Sequence, residues 1–342
     1  MKHILLMGLF MIGLLSCSQV KETTHTPTSS IQQFSLMSYN VENFFDTIND
    51  PENDDDFTPN GKLIWNTKKY LEKSQHIAQV ISAYAAENDF PVFIGLIEVE
   101  HQSCLETLCK ESTLKNKYTP LLLEGEDERG IDVGCLYDAT RFKKVEVIPH
   151  AIHLPDNDKT RHILEVNGTM EGSPFSFFIN HWPSRSGGTE KSAPLRMLAS
   201  ETLQKAIAAR KKFQPDCHII CMGDFNDYPT DPSVVVLKDK ISNCKMSNLM
   251  TPTMAHQLGS HFYKGEWGFL DQFIISSELE SLNKPCNQNW CVTQSSFPLQ
   301  YDFLMYTNKQ NEKSPSRTYV GDSYKGGYSD HLPIVMKIEK HR

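Results

Sequence analysis

The segment HIICMGDFND, residues 218–227, places a run of apolar residues directly before two acids and an amide. The run from His218 to Met222 has the composition of a buried strand. Gly223 to Asp227 follow at the point where that strand is expected to end. A single Asp or Asn after a strand is usually a turn residue that hydrogen-bonds its own backbone. A functional interpretation therefore depends on whether other strands end in the same way.

Five further strand-like segments end in a group of carboxylates, amides or histidine. They are Tyr39-Asn40-Val41-Glu42-Asn43, Gly95-Leu96-Ile97-Glu98, Asn180-His181-Trp182, Leu270-Asp271-Gln272 and Ser329-Asp330-His331. Glu98 is the least easily explained of these residues, because a carboxylate at the end of a buried strand costs free energy unless it is paired or bound to a metal. Six such ends together indicate one polar site rather than six turns.

The periodicity of the chain predicts an α+β fold. Residues 34–41 alternate as a strand does, and residues 68–86 and 194–212 have the apolar spacing of amphipathic helices. Further strands are predicted over residues 90–97, 132–137, 175–179, 218–222, 269–275 and 334–338. Many strands with few helices favour packed sheets, whereas residues 230–265 and 280–325 have no clear pattern.

The first 33 residues are predicted to direct export and anchoring. Lys2 precedes a short apolar run that ends in Leu14-Leu15-Ser16-Cys17, a pattern similar to that of a bacterial lipoprotein signal peptide. We expect residues 1–16 to be the signal peptide, Cys17 to be lipidated, and residues 17–33 to form a flexible tether. Residues 34–342 are then a single catalytic domain on the bacterial cell envelope, either periplasmic or facing the surface. A plain signal peptide with an incidental cysteine is the alternative.

Eight cysteines remain after Cys17 in this exported setting. The pairs Cys104/Cys109 and Cys286/Cys291 are each five residues apart, a spacing that two disulfides across small loops would allow. Other cysteines, such as Cys135, lie in apolar strand-like runs, where a buried free thiol is expected. No group of cysteines and histidines has the spacing of a zinc site.

The charge of the chain limits its partners. With 34 basic and 42 acidic residues the formal net charge is −8. This balance excludes a histone-like role, which needs a basic surface. It does not exclude a local basic cleft or a substrate that carries phosphate.

The polar residues at the strand ends are suited to hydrolysis of a phosphate ester. Mg²⁺ prefers oxygen ligands, which Glu42, Glu98 and Asp330 offer. Attack on phosphorus needs a positioned water, an acid or base near neutral pH, and hydrogen-bond donors to the phosphoryl oxygens. His181 and His331 titrate in that range, and Asn40 and Asn226 donate hydrogen bonds without adding charge.

Taken in order, YNVE, IE, NH, GDFN, LD and SDH resemble the motifs of the endonuclease/exonuclease/phosphatase superfamily, over about residues 34–338. The resemblance implies a four-layer αββα sandwich of two packed mixed sheets flanked by helices. It also implies dependence on Mg²⁺ or Mn²⁺. Glu98 would be the main metal ligand with Glu42 and Asn40 beside it, and Asp330 would serve the metal or its waters.

The same resemblance assigns the catalytic residues. Asp224 would orient or deprotonate the attacking water, and Asn226 would steady a phosphoryl oxygen. His331 would contact the phosphate while Asp271 orients it. His181 occupies the position of a catalytic histidine in deoxyribonuclease I-like members and phosphatases, which makes an apurinic repair enzyme a weaker interpretation.

Three further residues are candidates for substrate binding. Arg129 and Asp132 are given equal weight as cleft residues and as a buried structural ion pair. Arg185 follows His181 in a loop and is favoured to hold a flanking phosphate, against a solvated loop. Asp54-Asp55-Asp56 is a Ca²⁺ candidate, but without a full set of spaced ligands a mobile acidic loop is the favoured interpretation.

The sequence thus predicts a monomeric, divalent-metal-dependent phosphodiesterase, most consistent with an envelope-anchored endonuclease that cleaves DNA or RNA. The first alternative is a hydrolase of small phosphoesters such as sugar phosphates, inositol phosphates or phospholipid head groups. A non-catalytic surface binding lipoprotein is the second alternative, and the complete set of catalytic-type residues argues against it.

Overall fold

The computed structural model describes residues 31–50, 54–250, 259–280 and 290–341. The predicted signal peptide, Cys17 and most of the predicted tether lie outside these residues. The tether was predicted to extend to residue 33, but residues 31–33 belong to the first strand. There Ile31 pairs with His341 and Gln33 with Glu339, so backbone pairing extends the sheet three residues upstream of the predicted start.

The strands are numbered in chain order. They are β1 Ile31–Phe44, β2 Phe93–Val99, β3 Thr119–Leu122, β4 Asp132–Tyr137, β5 Phe142–His150, β6 Ile163–Met170, β7 Ser173–His181, β8 His218–Asp224, β9 Met246–Asn248, β10 His261–Tyr263, β11 Glu266–Gly268, β12 Asp271–Ser276, β13 Trp290–Pro298, β14 Met305–Thr307, β15 Lys313–Pro315, β16 Tyr319–Val320, β17 Ser323–Tyr324 and β18 Ile334–His341. The helices are α1 Thr67–Glu87, α2 Gln102–Lys110, α3 Thr189–Phe213 and α4 Pro232–Val235.

Two six-stranded mixed sheets form the centre of the fold. The first has the order β13-β18-β1-β2-β4-β3 and the second the order β5-β6-β7-β8-β12-β9. Only β1–β2 and β7–β8 are parallel pairs within these two described sheets, and the other neighbours are antiparallel. The remaining short strands form three hairpins.

The two sheets pack face to face between outer helices. Leu36, Phe93 and Ile97 of the first sheet share one buried core with Phe177 and Met222 of the second. The alternation of β1 turns its other face, with Met37, Tyr39 and Val41, toward α1 and α2. On the far side α3 covers the outer face of the second sheet. This α+β arrangement of four layers confirms the predicted fold class.

Helix α3 begins at Thr189, five residues before its predicted start. Residues 189–193 contain no large apolar side chain, so the apolar stripe that indicates a helix begins only at Leu195. Among the described residues no helix is long and apolar enough to cross a membrane.

The disulfide that the spacing of Cys104 and Cys109 would allow is not formed, because both thiols are free. The two residues lie on α2, where five residues separate them by more than one turn and turn their side chains to different faces. Cys135, Cys217 and Cys221 are buried free thiols, as expected. Cys291 is disulfide-bonded, whereas Cys286 lies outside the described residues.

Candidate active site

The polar strand ends meet at one end of the two sheets. β1 and β2 run parallel, as do β7 and β8, so Asn40, Glu98, His181 and Asp224 lie at the carboxyl ends of adjacent strands. Asp271 begins β12, and His331 lies before β18. The sequence analysis placed every polar motif at the end of a strand, and for these two motifs that prediction is wrong. Both strands run antiparallel to their neighbours, so their first residues reach the same end of the sheets.

Gly223 permits the close contact between β7 and β8 at this end. Its φ is +130°, and a Cβ built there would lie 2.0 Å from the carbonyl oxygen of Asn180. Any other residue would push the strands apart. With glycine at this position, His181 is paired in register with Asp224, and Asp271 pairs with Asp224 from the other side.

Asp224 is at the centre of the site. Its Oδ2 accepts a hydrogen bond from Asn40 Nδ2 at 3.2 Å. The Nε2 atoms of His181 and His331 both lie 3.8 Å from the same oxygen. These distances are too long for direct hydrogen bonds, so both imidazoles face Asp224 across a gap. Burial and repulsion from Asp271 raise the pKa of Asp224 to about 7, against the opposing effect of His331.

Asp271 orients His331. Its Oδ2 lies 2.6 Å from His331 Nδ1 and also accepts a hydrogen bond from Ser260 Oγ at 2.6 Å. Burial opposes protonation of the imidazole, but the carboxylates of Asp271, Asp330 and Asp224 outweigh it and raise the pKa of His331 well above its ordinary value. His331 is therefore a cation whose free nitrogen is a donor.

His181 has the opposite character. Burial, together with the cations Arg161 and Arg129, lowers its pKa well below the ordinary value. Its Nδ1 is buried and has no hydrogen-bond partner among the described residues. Arg161 holds the backbone here, donating from Nε to the carbonyl oxygen of His181 at 2.9 Å and from Nη2 to that of Trp182 at 3.0 Å. His181 is thus a neutral imidazole beside a protonated one.

Glu98 lies next to Asn40 and His181. Its Oε1 accepts from Asn40 Nδ2 at 3.3 Å and lies 3.8 Å from His181 Nε2, and its Oε2 accepts from the backbone nitrogen of Asn43 at 3.0 Å. Glu98 has a φ of +66°, while Glu42 and Asn43 have φ of +53° and +56°. Such left-handed conformations are strained for residues with a Cβ. The backbone therefore bends at both strand ends where the carboxylates lie.

Glu42 and Asp330 form a second acidic group around Arg317. Glu42 Oε2 accepts from the backbone nitrogen of Thr318 at 2.6 Å. Arg317 lies between the two acids, with Nε 3.6 Å from Glu42 and Nη2 2.9 Å from Asp330. Burial and repulsion from Asp330 raise the pKa of Glu42 to about 7, although Lys73 opposes this.

Three other predicted site residues, Asn226, Arg129 and Arg185, make contacts with different parts of the protein. Asn226 donates from Nδ2 to the carbonyl oxygen of Trp182 at 3.0 Å, beside Asp224. Arg129 is 53% exposed and lies near Asp127. Arg185 lies over the ring of Tyr228 at 4.5 Å and reaches Asp231 at 3.4 Å.

Asp132 forms no ion pair with Arg129, which lies near Asp127 instead. It lines an acidic cavity, and burial raises its pKa to about 7. The buried ion pair in this region instead joins Arg161 Nη1 to Asp127 at 2.7 Å. The proposed pairing of Arg129 with Asp132 is therefore not formed.

Several residues of the site had no clear signal in the sequence. The His261 ring lies 4.6 Å from that of His331, and His261, Asp330 and His331 have ligand-type atoms within 4.8 Å of one another. Burial lowers the pKa of His261 to about 4. His261 and Arg317 come from segments that have no clear pattern in the sequence, and Arg161 lies two residues before β6, a strand that the pattern did not predict.

The donor set at Glu98 fits a hard divalent cation. Carboxylate oxygens of Glu98 and Asp224 lie on either side of the Asn40 amide, and Mg²⁺ prefers oxygen ligands and retained water. The group around His331 fits a cation less well, since Nδ1 of His331 is bonded to Asp271 and the ring is protonated.

The sequence matches the model of the endonuclease/exonuclease/phosphatase family over residues 35–340. No curated protein sequence matches the chain.

Solved structures with the same fold have low sequence identity. An endonuclease/exonuclease/phosphatase family protein from Bacteroides thetaiotaomicron is 14% identical, covers 91% of this chain and 99% of its own, and has a TM-score of 0.57. A mannosyl-6-phosphatase from the same organism is 15% identical, with coverage of 89% and 99% and a TM-score of 0.54. D. rerio TDP2 complexed with a single-strand DNA product is 14% identical, with coverage of 90% and 98% and a TM-score of 0.54. At these identities the likeness concerns the fold.

Proposed function

Since the chain belongs to the endonuclease/exonuclease/phosphatase family, whose members are phosphoric ester hydrolases, we propose that its site cleaves a phosphodiester of nucleic acid with the help of Mg²⁺ or Mn²⁺. One observation carries the proposal: the Nε2 atoms of a neutral and a protonated histidine both lie 3.8 Å from one oxygen of Asp224. Both nitrogens face the carboxylate, so a water bound at Asp224 and a phosphoryl oxygen next to it would lie within reach of an imidazole.

Glu98, with Asn40 beside it, would hold the cation. When bound, the cation offsets the negative charge that grows on the phosphoryl oxygens in the transition state. Asn40 links Glu98 to Asp224 through its amide nitrogen, so it fixes the position of both carboxylates relative to the phosphate.

The protein side chains would manage the protons. Asp224, with a pKa of about 7, would accept a proton from the attacking water as the water oxygen bonds to phosphorus near neutral pH. The bond from phosphorus to the leaving ester oxygen breaks, and that oxygen takes a proton from solvent. The protonated His331 donates a hydrogen bond to a phosphoryl oxygen, and Asp271 holds its ring in place. His181 is neutral and buried beside Glu98, so it contacts the phosphate without adding charge.

Two arginines support a substrate with more than one phosphate. Arg129 is near enough to His181 to help lower its pKa, Arg317 pairs with Asp330, and the two side chains are 53% and 46% exposed. Phosphates that flank the scissile bond would meet these guanidiniums. The similarity to a fold neighbour solved with a single-strand DNA product agrees with this substrate class.

A small phosphoester is the second candidate, and the acidic cavity favours it. The carboxylates of Asp127 and Asp132 belong to a cavity directly beyond β2, and a long polyanion would be repelled there. A fold neighbour is named as a mannosyl-6-phosphatase.

Plasmid nicking and phosphate release measured on the same full-length preparation would test both candidates. We expect nicking with Mg²⁺ or Mn²⁺ that EDTA abolishes, and a loss of at least about 100-fold in Asp224→Asn and His331→Gln. Asp216→Asn, which changes an exposed aspartate outside the site, is the matched control. Phosphate release without nicking would select the small-ester candidate. Nicking that persists in both variants would overturn the assignment of residues.

We further propose that the enzyme is a lipoprotein of the bacterial envelope. The support is the apolar run that ends at Cys17. Cys17→Ala should move the protein from the membrane fraction to the soluble fraction. An unmodified N-terminus in the membrane fraction, measured by mass spectrometry, would rule out the anchor.

A further inference from the structure

A buried lysine lies behind the active site, at a position where the apolar spacing of α1 predicts a hydrophobic side chain. Lys73 follows Tyr70 by three residues and precedes Ile77 by four, so it lies on the stripe of α1 that packs against the first sheet. Its side chain is only 1% exposed. Burial of an ammonium costs free energy unless hydrogen bonds and opposite charges compensate for it. The contacts of Lys73 show what this buried charge holds.

The ammonium of Lys73 joins the two ends of one loop. Its Nζ donates to Thr318 Oγ1 at 2.6 Å and to the backbone carbonyl oxygen of Tyr328 at 2.7 Å. Burial lowers the pKa of Lys73 to about 8, against the attraction of Glu42 and Asp330, so the side chain is largely protonated at neutral pH. A charged donor therefore ties both ends of the loop to the same point of α1.

The first end of this loop holds Glu42. The backbone nitrogen of Thr318 donates to Glu42 Oε2 at 2.6 Å, and the hydroxyl of the same threonine accepts from Lys73. Arg317, the preceding residue, pairs with Glu42 and Asp330. A displacement of Thr318 would therefore move an acid and a guanidinium of the site together.

The second end of the loop holds His331. Ser329, which follows Tyr328, donates from Oγ to the carbonyl oxygen of Asn40 at 2.7 Å. The same Oγ accepts from the backbone nitrogen of His331 at 3.0 Å. Since the imidazole of His331 lies 3.8 Å from Asp224, a small displacement of this backbone changes a distance on which the proposed chemistry depends.

Other contacts also attach the loop to α1. The ring of His76 stacks on that of Tyr328 with centroids 4.3 Å apart, and the Tyr328 hydroxyl donates to Gln79 at 2.8 Å. Both contacts remain when the ammonium of Lys73 is removed. The loop should then stay attached to α1, and the effect should be a change in its position rather than its detachment.

We propose that Lys73 is a positioning residue, which acts on the active site through Thr318 and Tyr328. It lies behind the groups whose positions it sets, Glu42 and His331, and does not itself contact the phosphate. The proposal rests on the hydrolase activity proposed above, but not on whether the substrate is nucleic acid or a small phosphoester. Removal of the ammonium should therefore slow the chemical step more than it weakens the binding of substrate.

Steady-state hydrolysis of bis(p-nitrophenyl) phosphate and of p-nitrophenyl phosphate by the full-length protein with Mn²⁺ tests this role. Lys73→Met keeps the length of the side chain and removes its charge and its donors. It should lower kcat at least about 30-fold, while KM changes by less than about threefold. Thr318→Val removes the hydroxyl but keeps the backbone donor to Glu42, so its kcat should fall less. The double variant should lose no more than Lys73→Met alone, because the two residues act through one contact.

Ser74→Ala is the matched control, because Ser74 is the next residue of α1 and is also fully buried. Its hydroxyl donates to Glu111 Oε1 at the end of α2, at 2.8 Å. The control should lower the melting temperature and leave kcat within about twofold of the unaltered protein. Equal falls in kcat for Lys73→Met and Ser74→Ala would overturn the proposal, and so would an unchanged kcat in Lys73→Met. If Lys73→Met does not fold, an unchanged kcat in Thr318→Val has the same meaning.

Amide hydrogen exchange gives a test that needs no substrate. The amide of Thr318 donates to Glu42, and those of Gly327 and Tyr328 donate to carbonyl oxygens at the other end of the loop. In Lys73→Met these three amides should exchange at least about tenfold faster, whereas those of β8 should not change. Unchanged exchange in the loop would overturn the proposal. If the unaltered protein cleaves neither plasmid nor ester, the proposed function fails, and the exchange rates alone then decide whether Lys73 holds the loop.

Discussion

At the residue scale, the two histidines that face Asp224 differ in the charges around them. His331 lies among Asp271, Asp330 and Asp224, which hold its proton despite burial. His181 lies near Arg161 and Arg129 in an equally buried position, and its pKa is low. One imidazole is therefore a donor at neutral pH, and the other is uncharged, although both lie 3.8 Å from the same oxygen.

Asp271→Asn should lower activity and move its pH dependence. The raised pKa of His331 keeps the ring protonated to high pH, so activity that needs this proton falls only as pH rises through that pKa. Asn removes the largest favourable charge, so the alkaline fall in kcat/KM should begin at lower pH, with a loss of about 100-fold or more at neutral pH.

Ser260→Ala is the milder comparison, because Ser260 contacts Asp271 and not the imidazole. It should reduce activity while it leaves the alkaline limb nearly in place. The pH profile of kcat/KM on one phosphoester gives both results. An Asp271→Asn profile that coincides with that of the unaltered protein would remove His331 from its role as the charged hydrogen-bond donor to the phosphate.

At the element scale, α3 is tied to the second sheet by a buried ion pair. Arg210 of α3 donates from Nε to Glu165 Oε1 of β6 at 2.6 Å and from Nη2 to Glu146 of β5 at 2.9 Å. His150 Nε2 lies 2.7 Å from the other oxygen of Glu165. These contacts outweigh burial and lower the pKa of Glu165 below its ordinary value.

Glu165→Gln should destabilise the protein by about 3 kcal/mol, because it leaves a buried guanidinium without its closest charge partner. The folded-state pKa of Glu165 is depressed, so its contribution is full above its unfolded pKa and is lost as pH falls through the folded one. The difference between variant and unaltered protein should therefore shrink in acid. Urea denaturation at pH 7 and pH 4 measures both effects.

Glu146→Gln is matched to this change, since it removes the other carboxylate on Arg210. Its side chain is half exposed, so we expect a cost of about 1 kcal/mol or less. Equal costs for the two variants would show that burial does not determine the strength of this link.

At the scale of the whole molecule, stacked aromatic rings join the two sheets. Phe93 of β2 and Phe177 of β7 have ring centroids 4.0 Å apart with planes inclined by 12°, and Phe142 packs edge-on against both. All three rings are fully buried. A cooperative single domain remains a prediction, and this core supports it.

Phe177→Ala should cost about 4 kcal/mol, because it opens a cavity between the sheets. If the two sheets fold as one unit, unfolding followed by far-UV circular dichroism and by tryptophan fluorescence should give one coincident transition in both proteins. Phe213→Ala makes the same chemical change at a ring that is 81% exposed and should cost less than about 1 kcal/mol. Two separated transitions would contradict a single domain.

The sequence by itself determined the elements whose patterns are local. β1, α1 and β4 could be predicted because alternation and helical spacing depend only on neighbouring residues. The polar strand ends were predicted for the same reason, and the order of the motifs identified the family. Strands such as β5 and β6 were missed, since β5 has several exposed charged residues and no clear apolar alternation.

Only the tertiary structure decided which of these residues act together. Asp271 and His331 reach the site because β12 and β18 run antiparallel, a choice of pairing between segments far apart in the chain. Arg161 and Arg317 enter the site from loops and His261 from the short strand β10, and none of these segments has a periodic pattern in the sequence. The charge states of His181 and His331 depend on burial and on carboxylates and guanidiniums from other elements. Electrostatic surroundings of this kind arise from the fold, because no local pattern records which charges end up within a few ångströms of each other.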